Sequence, residues 1–260
     1  MLTFVGLGLY DERSITLQGR DALEQADQVF AERYTSRLVG ADFDDIEAAH
    51  DIDIELRARE GVEQDPEPIL DAAESGDAAF CTAGDTMIST THVDLRLRAH
   101  ERGIETRIVH GTTAAAAASS LTGLQNYRFG KATTLPFESA HGGDGVPGSV
   151  IETIEANRER GLHTLVFLDI KVDSDREDYM TGDEAAAMLA TDWEETVPAV
   201  VVARAGSPDP VVRADRLDAL AEETFGEPLH MLVVPGALHH IERDALVELA
   251  DLPAEVADLA

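Results

Sequence analysis

Two hundred and sixty residues are enough for one large α/β domain or two of ordinary size, and either buries a substantial core. Fifty-one acids against 20 bases give a formal net charge of −31, which argues against any non-specific grip on nucleic-acid phosphates; 44% hydrophobic content in well-separated runs argues against disorder. The lone Cys81 excludes a disulfide framework and a cysteine-based metal site, and no metal is expected elsewhere.

Only Lys131 and Lys171 are lysines, while 18 residues are arginine. In dilute buffer so many acids repel one another, but at molar salt the Debye length falls to about 3 Å and the repulsion is screened. The charge is therefore a statement about solvent, of the kind a halophile's cytosol favours. No signal-peptide pattern precedes Leu2, and the run Ala114 to Ala118 is far short of a membrane span, so a soluble cytoplasmic protein is expected.

In chain order the first element is a strand over 2–7 that runs into a loop flanked by Gly6 and Gly8. Thr3, Phe4 and Val5 suit a buried strand, and the glycines permit positive φ and close approach of backbone to a ligand. A Gly-x-Gly here, with Glu32 ending the next strand, invites a dinucleotide-binding reading, yet position 11 is Asp where the third glycine belongs. A tight strand-end turn with no ligand is the plainer alternative. There follow a helix near 16–26, strand 28–31, helix 42–50, a short strand 52–56, helix 66–75, strand 77–82 (which buries Cys81), helix 90–102, strand 105–109 and an alanine-rich helix from 113. Apolar runs separated by crossover-length segments predict a mainly parallel sheet with helices on its faces.

After Leu121 the rhythm changes, and a second series has strands near 131–136, 163–170, 197–204, 210–213 and 229–234. Its helices are expected at 148–160, 182–192, 215–224 and 241–250, with a hairpin around Ser207-Pro208-Asp209-Pro210. The chain is thus divided into an N-terminal α/β domain, 1–122, with a mainly parallel sheet and a C-terminal α/β domain, 123–260, with a mixed one. The glycine-rich 141–148 reads as a surface loop or a mobile element beside a cleft, and the acidic run 173–178 as a solvated face.

Ligands bind at the C-terminal ends of strands in open α/β sheets, so the loops Gly6 to Asp11, Thr82 to Ser89, His110 to Ala114 and Leu168 to Lys171 are the candidates for chemistry. In the second, Gly84 allows close approach, and Asp85 adds a charge that a purely structural turn would not need. His110-Gly111-Thr112-Thr113 opens a helix with hydroxyls and free N–H groups. There is no phosphate-binding Gly-x-x-x-x-Gly-Lys-Ser/Thr and no Gly-x-Ser-x-Gly nucleophile elbow. His239 and His240 diverge by about 100° on a helix and read as a helix start instead of a metal pair. His92 reads as structural, His230 as a strand-edge residue or a site residue, and Met180 and Trp193 as packing.

Phe4 to Glu12, Ile15 to Gly19, Ala31-Glu32-Arg33-Tyr34-Thr35-Ser36, Gly84-Asp85 followed by Thr90-Thr91-His92, Arg158 to Lys171 and Ala203-Arg204-Ala205-Gly206-Ser207 together resemble the diphthine synthase family nearly end to end. Related tetrapyrrole methylases share the strand-loop logic, but with a Gly-Pro-Gly-Asp type of first loop. The resemblance implies a class III methyltransferase of two α/β domains, usually a homodimer, with S-adenosylmethionine in a cleft between them. The implied substrate is the 3-amino-3-carboxypropyl group on a histidine of translation elongation factor 2, whose amine archaeal members methylate three times to give diphthine. Matching positions imply cofactor contacts at Leu9, Asp85, Ile88, Thr113, Ala114, Leu168, Ala205 and His230. No catalytic residue is implied, since alignment of a neutral amine can supply much of the rate. A tetrapyrrole or corrin-precursor C-methyltransferase and a non-catalytic cofactor-binding protein stand as the alternatives.

The charge yields one outcome independent of any family. The melting temperature, followed by circular dichroism, rises steeply from dilute buffer to molar KCl; a melting temperature indifferent to KCl contradicts the screening argument.

Overall fold

The computed structural model describes residues 1–34, 36–142, 145–172, 177–193 and 197–259. Gly143 and Asp144 of the glycine-rich loop, and Asp173 to Arg176 of the acidic run, lie outside the described residues. The chain divides into two units, the first built on Met1–Thr113 together with Val172, the second on Ala114–Lys171 and the residues from Glu177 onward.

The first unit holds strands β1 (Leu2–Gly6), β2 (Gln28–Glu32), β3 (Ile54–Arg57), β4 (Ala78–Thr82) and β5 (Thr106–Val109) in one sheet of order β3-β2-β4-β1-β5. All its pairings are parallel. A dinucleotide-binding sheet has β1 beside β2, whereas here β4 lies between them. Crossovers are made by α1 (Leu17–Glu24), α2 (Phe43–His50), α3 (Arg59–Glu63), α4 (Glu67–Ser75) and α5 (Val93–Glu101). The short α3 was not legible in the sequence pattern.

The period of two along each strand sorts side chains to opposite faces. Leu2, Phe4, Phe30, Ala78 and Phe80 pack with Val62, Ile69, Leu70, Leu95 and Ala99. Val5, Val29, Ala31, Ala79 and Cys81 pack with Leu23, Leu38 and Ile46 on the other face. Burial on both faces is why these strands read as unbroken apolar runs. Helix starts are set locally: Thr16 Oγ1 accepts from Gly19 N at 3.0 Å, and Asp42 and Asp45 form a reciprocal capping box.

The second unit begins with α6 (Ala114–Thr122), followed by β6 (Thr133–Leu135), α7 (Glu138–His141), α8 (Gly148–Glu159), β7 (Thr164–Leu168), β8 (Ile170–Val172), β9 (Glu177–Tyr179) and α9 (Gly182–Asp192). Then come β10 (Pro198–Ala203), β11 (Val211–Arg216), α10 (Leu217–Leu220), β12 (His230–Val234), α11 (His240–Leu249) and α12 (Ala254–Ala257). Its sheet has the order β11-β10-β12-β7-β6, mixed in direction, and β8-β9 forms a separate ribbon. Met180 and Trp193 are buried in the cluster around Val166, Val201 and Leu232, as their reading as packing residues requires.

Several boundaries differ from the sequence reading, and two of the differences have a clear physical reason. Ala114–Thr122 was expected with the first domain, but Ala118 packs with Leu165, Val200 and Val233, so the division falls at Thr113. The helix expected over 215–224 starts at Leu217 and is one turn long, because β11 stays paired with β10 as far as Arg216 opposite Pro198.

A buried carboxylate wires the second unit. Glu242, with no exposed surface, accepts from Gln125 N at 3.0 Å, His239 N at 2.8 Å, Arg128 Nη1 at 2.5 Å and His163 Nε2 at 3.0 Å. Burial by itself pushes Glu242 up, but bonds from Gln125, His239 and His163 outweigh it and hold its carboxyl below the usual range. Burial keeps His163 below the ordinary imidazole value; its Nδ1 accepts from Gly236 N at 3.1 Å, so the ring is neutral. Both shifts mean that the unfolded chain binds more protons, so their contribution is present above the unfolded imidazole value and is lost as pH falls. Glu242→Ala takes the acceptor from His163 Nε2 and from Arg128 Nη1, and urea unfolding at neutral pH reads a loss of about 3–5 kcal/mol. The deficit shrinks in acid, where the wild-type network is itself protonated.

Candidate active site

The C-terminal ends of β1, β4 and β5 meet through backbone. A Cβ on Gly6 would stand 2.5 Å from both Gly111 N and Gly84 O, and a Cβ on Gly111 would collide with Gly84 O. Gly84 N donates to Gly8 O at 2.6 Å and Gly8 N to Gly84 O at 3.3 Å, joining the first loop to the second as a short antiparallel bridge. Gly8 and Gly84 both have positive φ, +82° and +68°. An added Cβ at Gly84 meets no atom within 4 Å, so its Cα borders open space while its carbonyl is packed. That is a cradle of small residues into which a ligand can approach the backbone.

The sequence reading took Asp85 for a charge beyond the needs of a turn; its carboxylate has structural employment. Only 6% exposed, it accepts from Met87 N at 2.9 Å within its own loop, from Gly111 N at 3.3 Å and from His110 Nδ1 at 2.7 Å. It therefore clamps the loop after β5 to the loop after β4. Leu9 and Thr113 are half-buried and Ile88 is 49% exposed, so the rim of this edge carries apolar surface.

Ala114 opens α6 in the second unit. There Leu168 ends β7, Ala205 lies two residues beyond β10, and His230 starts β12. His230 pairs with Ala203, and Met231 with Phe167, so Leu168, Ala205 and His230 share one edge of the second sheet. The His230 ring is occupied on both sides: Nε2 donates to Glu227 O at 3.0 Å, and Nδ1 accepts from Gly182 N at 2.9 Å. Burial keeps it below the ordinary imidazole value, and it supports the start of α9. His239 is the N-cap of α11.

Glu32, the acid that a nicotinamide reading would turn towards a ribose, is 1% exposed. It accepts from Tyr34 N at 3.0 Å and Ser36 Oγ at 2.7 Å, and Ser36 Oγ accepts from Ala83 N at 3.1 Å. The turn after β2 is thereby tied to the β4 loop. Tyr34, given no role in the sequence reading, and His92, read there as structural, meet beside that loop: the Tyr34 hydroxyl is 3.4 Å from His92 Nε2. Their only signal was membership of two motifs far apart in the chain.

The parallel first sheet with β4 inserted beside β1, the mixed second sheet and the glycine-packed loops define a class of protein. The family model for Tetrapyrrole (Corrin/Porphyrin) Methylases matches residues 1–221. A diphthine synthase of Halorubrum lacusprofundi is 73% identical over 99% of this chain and 100% of its own length, and one of Methanosarcina acetivorans is 48% identical over 99% of each. A crystal structure of a diphthine synthase superimposes with a TM-score of 0.89 at 37% identity, covering 100% of this chain and 99% of its own. The chain belongs to the diphthine synthases, a methyltransferase family within the tetrapyrrole methylases.

The glycine packing supplies a direct check. Gly6→Ala forces its Cβ against two backbone atoms that cannot rotate away, and the variant loses about 1–3 kcal/mol in thermal or urea unfolding. Gly84→Ala meets no neighbour, so its smaller loss comes from the positive φ alone.

Proposed function

We propose that this chain transfers methyl groups from S-adenosylmethionine to the amino group of the 3-amino-3-carboxypropyl-histidine of translation elongation factor 2, three times over, giving diphthine. The observation that carries the reading is relatedness to diphthine synthases over nearly the whole of both chains. The cradle at Gly84, bordered by open space at the end of a parallel strand, fits a ligand held against backbone.

On this reading the cofactor residues are Leu9, Asp85, Ile88 and Thr113 of the first unit and Ala114, Leu168, Ala205 and His230 of the second. Leu9, Ile88, Ala114 and Ala205 would offer apolar surface and Thr113 a hydroxyl, while Leu168, only 7% exposed, would act from the core at the end of β7. Asp85 acts by holding the loops after β4 and β5 in register. His230, with both nitrogens bonded, contributes shape and position. When bound, S-adenosylmethionine supplies an electrophilic methyl on a sulfonium, so the protein's task is to align a neutral amine in a dry site. Such alignment is worth up to about 7–11 kcal/mol in favourable cases. The enzyme works in the cytoplasm as a homodimer, at high salt. No helix among the described residues is long and apolar enough to cross a membrane.

The test is intact-mass analysis of the aminocarboxypropylated factor, incubated in molar KCl with the purified chain and S-adenosylmethionine. The expected result is a gain of three methyl increments that requires the aminocarboxypropyl group. A factor of unchanged mass refutes the reading. The family model gives one further possibility a footing, and methylation of a uroporphyrinogen or corrin precursor in place of the factor would favour it. Asp85→Ala, which frees His110, Gly111 N and Met87 N together, weakens S-adenosylmethionine binding by about tenfold or more in calorimetry.

A further inference from the structure

An amine that is to be methylated must first lose a proton, since an ammonium has no lone pair; three transfers to one nitrogen release three protons. The two buried carboxylates at the C-terminal end of the first sheet are committed elsewhere: Asp85 to Met87, His110 and Gly111, and Glu32 to the turn after β2. His92 differs. Its Nδ1 is 3.2 Å from Thr86 O, and because a carbonyl only accepts, Nδ1 carries the ring's hydrogen. The Nε2 lone pair is therefore turned towards the Tyr34 hydroxyl, 3.4 Å away. His92 is 4% exposed and Tyr34 half-buried, so the phenol is the outer member of the pair.

We propose that Tyr34 and His92 form a proton-accepting pair for the amine that this enzyme methylates, Tyr34 Oη passing the proton and His92 Nε2 receiving it. The inference rests on the methyltransferase reading above and deepens it. One N–H bond of the substrate ammonium breaks and its proton goes to Tyr34 Oη, while the phenol's own proton moves to His92 Nε2. The amine keeps the freed electron pair, Tyr34 is again a phenol, and His92 is an imidazolium with hydrogen on both nitrogens. With Nδ1–H held by Thr86 O, the proton leaves Nε2 by the way it came, back through Tyr34 Oη to solvent once the methylated amine has moved off, and the ring is neutral again before the next transfer.

Position and surroundings support the pair. Thr86, which fixes the His92 tautomer, follows Asp85 in the loop after β4, so the pair is tethered to the candidate cofactor loop. The charged groups that face it are Glu32 at the end of β2, Glu63 and Arg59 of α3, and Asp94 of α5, which lines a cavity beside His92. Arg59 lies 4.8 Å over the Tyr34 ring. Burial pushes His92 below the ordinary imidazole value, so it waits as a neutral acceptor, while Glu32 and Glu63 favour the imidazolium once formed. Burial, with Glu32 and Glu63, pushes Tyr34 up, so the phenol keeps its proton until His92 takes it. Catalytic hydrogen bonds are often long before substrate arrives and tighten in the complex.

A bracing role is the competing account, since His92 also packs edge-on against Phe80 with ring centroids 5.1 Å apart. The pH dependence of kcat/KM separates the two, measured from about pH 5.5 to 9 with the full chain in molar KCl and the modified factor as substrate. The wild type rises from acid and levels off near or below the ordinary imidazole value. Tyr34→Phe keeps the ring beneath Arg59 and removes only the hydroxyl. It is expected to lose about 100-fold at neutral pH and to show no plateau, climbing by about tenfold per pH unit as free amine becomes available. Its Kd for S-adenosylmethionine stays within about twofold of wild type. His92→Gln loses the plateau in the same way, and if it does not fold, Tyr34→Phe decides alone. A Tyr34→Phe profile that matches wild type, or lies uniformly below it with the plateau intact, overturns the proton-accepting pair while leaving the methyltransferase reading standing. A wild type that adds no methyl at any pH overturns both.

Discussion

Everything at the C-terminal end of the first sheet depends on how closely three stretches of backbone approach one another. Gly6, Gly84 and Gly111 touch at distances that leave no room for a Cβ at Gly6 or Gly111, and the Gly8–Gly84 bridge adds two hydrogen bonds across the same point. Because the loops after β1, β4 and β5 meet in this way, their positions are set by main chain and not by adaptable side chains. The missing third glycine of a dinucleotide motif follows from the same arrangement. Here the glycines serve loop-to-loop packing, and Asp11 belongs to a turn of its own in which its carboxylate accepts from Arg13 N and Ser14 Oγ.

A chain with 51 acids invites the view that its carboxylates are all solvent business, and the interior shows otherwise. Glu32, Asp85 and Glu242 are each at most 6% exposed, and each gathers bonds from backbone N–H groups and neighbouring side chains. A buried carboxylate bonded by several donors is far costlier to remove than an exposed one. Salt therefore acts on the two populations differently: it screens the surface acids from one another and leaves the internal ones, already matched with partners, almost untouched.

How much was legible beforehand follows from the same distinction. Runs such as Ala78 to Thr82 and Pro198 to Ala203 announce themselves because burial on both faces demands uninterrupted apolar side chains. Loop glycines show where backbone bends, which is why the strand-end loops could be placed. The employment of Asp85 could not be read, since its partner His110 is 25 residues away and becomes a neighbour only when β4 and β5 flank β1. Tyr34 and His92 are 58 residues apart and meet for the same kind of reason. The allegiance of Ala114–Thr122 was hidden too, because an alanine-rich helix has no strong apolar face and its packing against Leu165, Val200 and Val233 comes from strands far later in the chain.

His92, His163 and His230 share one physical solution. Each is 5% exposed or less, and each points one ring nitrogen at an acceptor that fixes the hydrogen there: Thr86 O, Glu242 Oε1 and Glu227 O. The other nitrogen is left with its lone pair, and this is where they diverge. In His163 and His230 it meets a backbone N–H, of Gly236 and Gly182, a donor that cannot give up its proton; protonating either ring would set two N–H groups against each other. In His92 it meets the Tyr34 hydroxyl, which is both donor and acceptor and can hand a proton inward while taking another from outside. Burial lowers the proton affinity of all three, so their neutrality is common. What sets His92 apart is a partner through which a proton can arrive, and among the described residues it is the one of these three histidines whose bonding permits it to change charge without breaking the fold's own contacts.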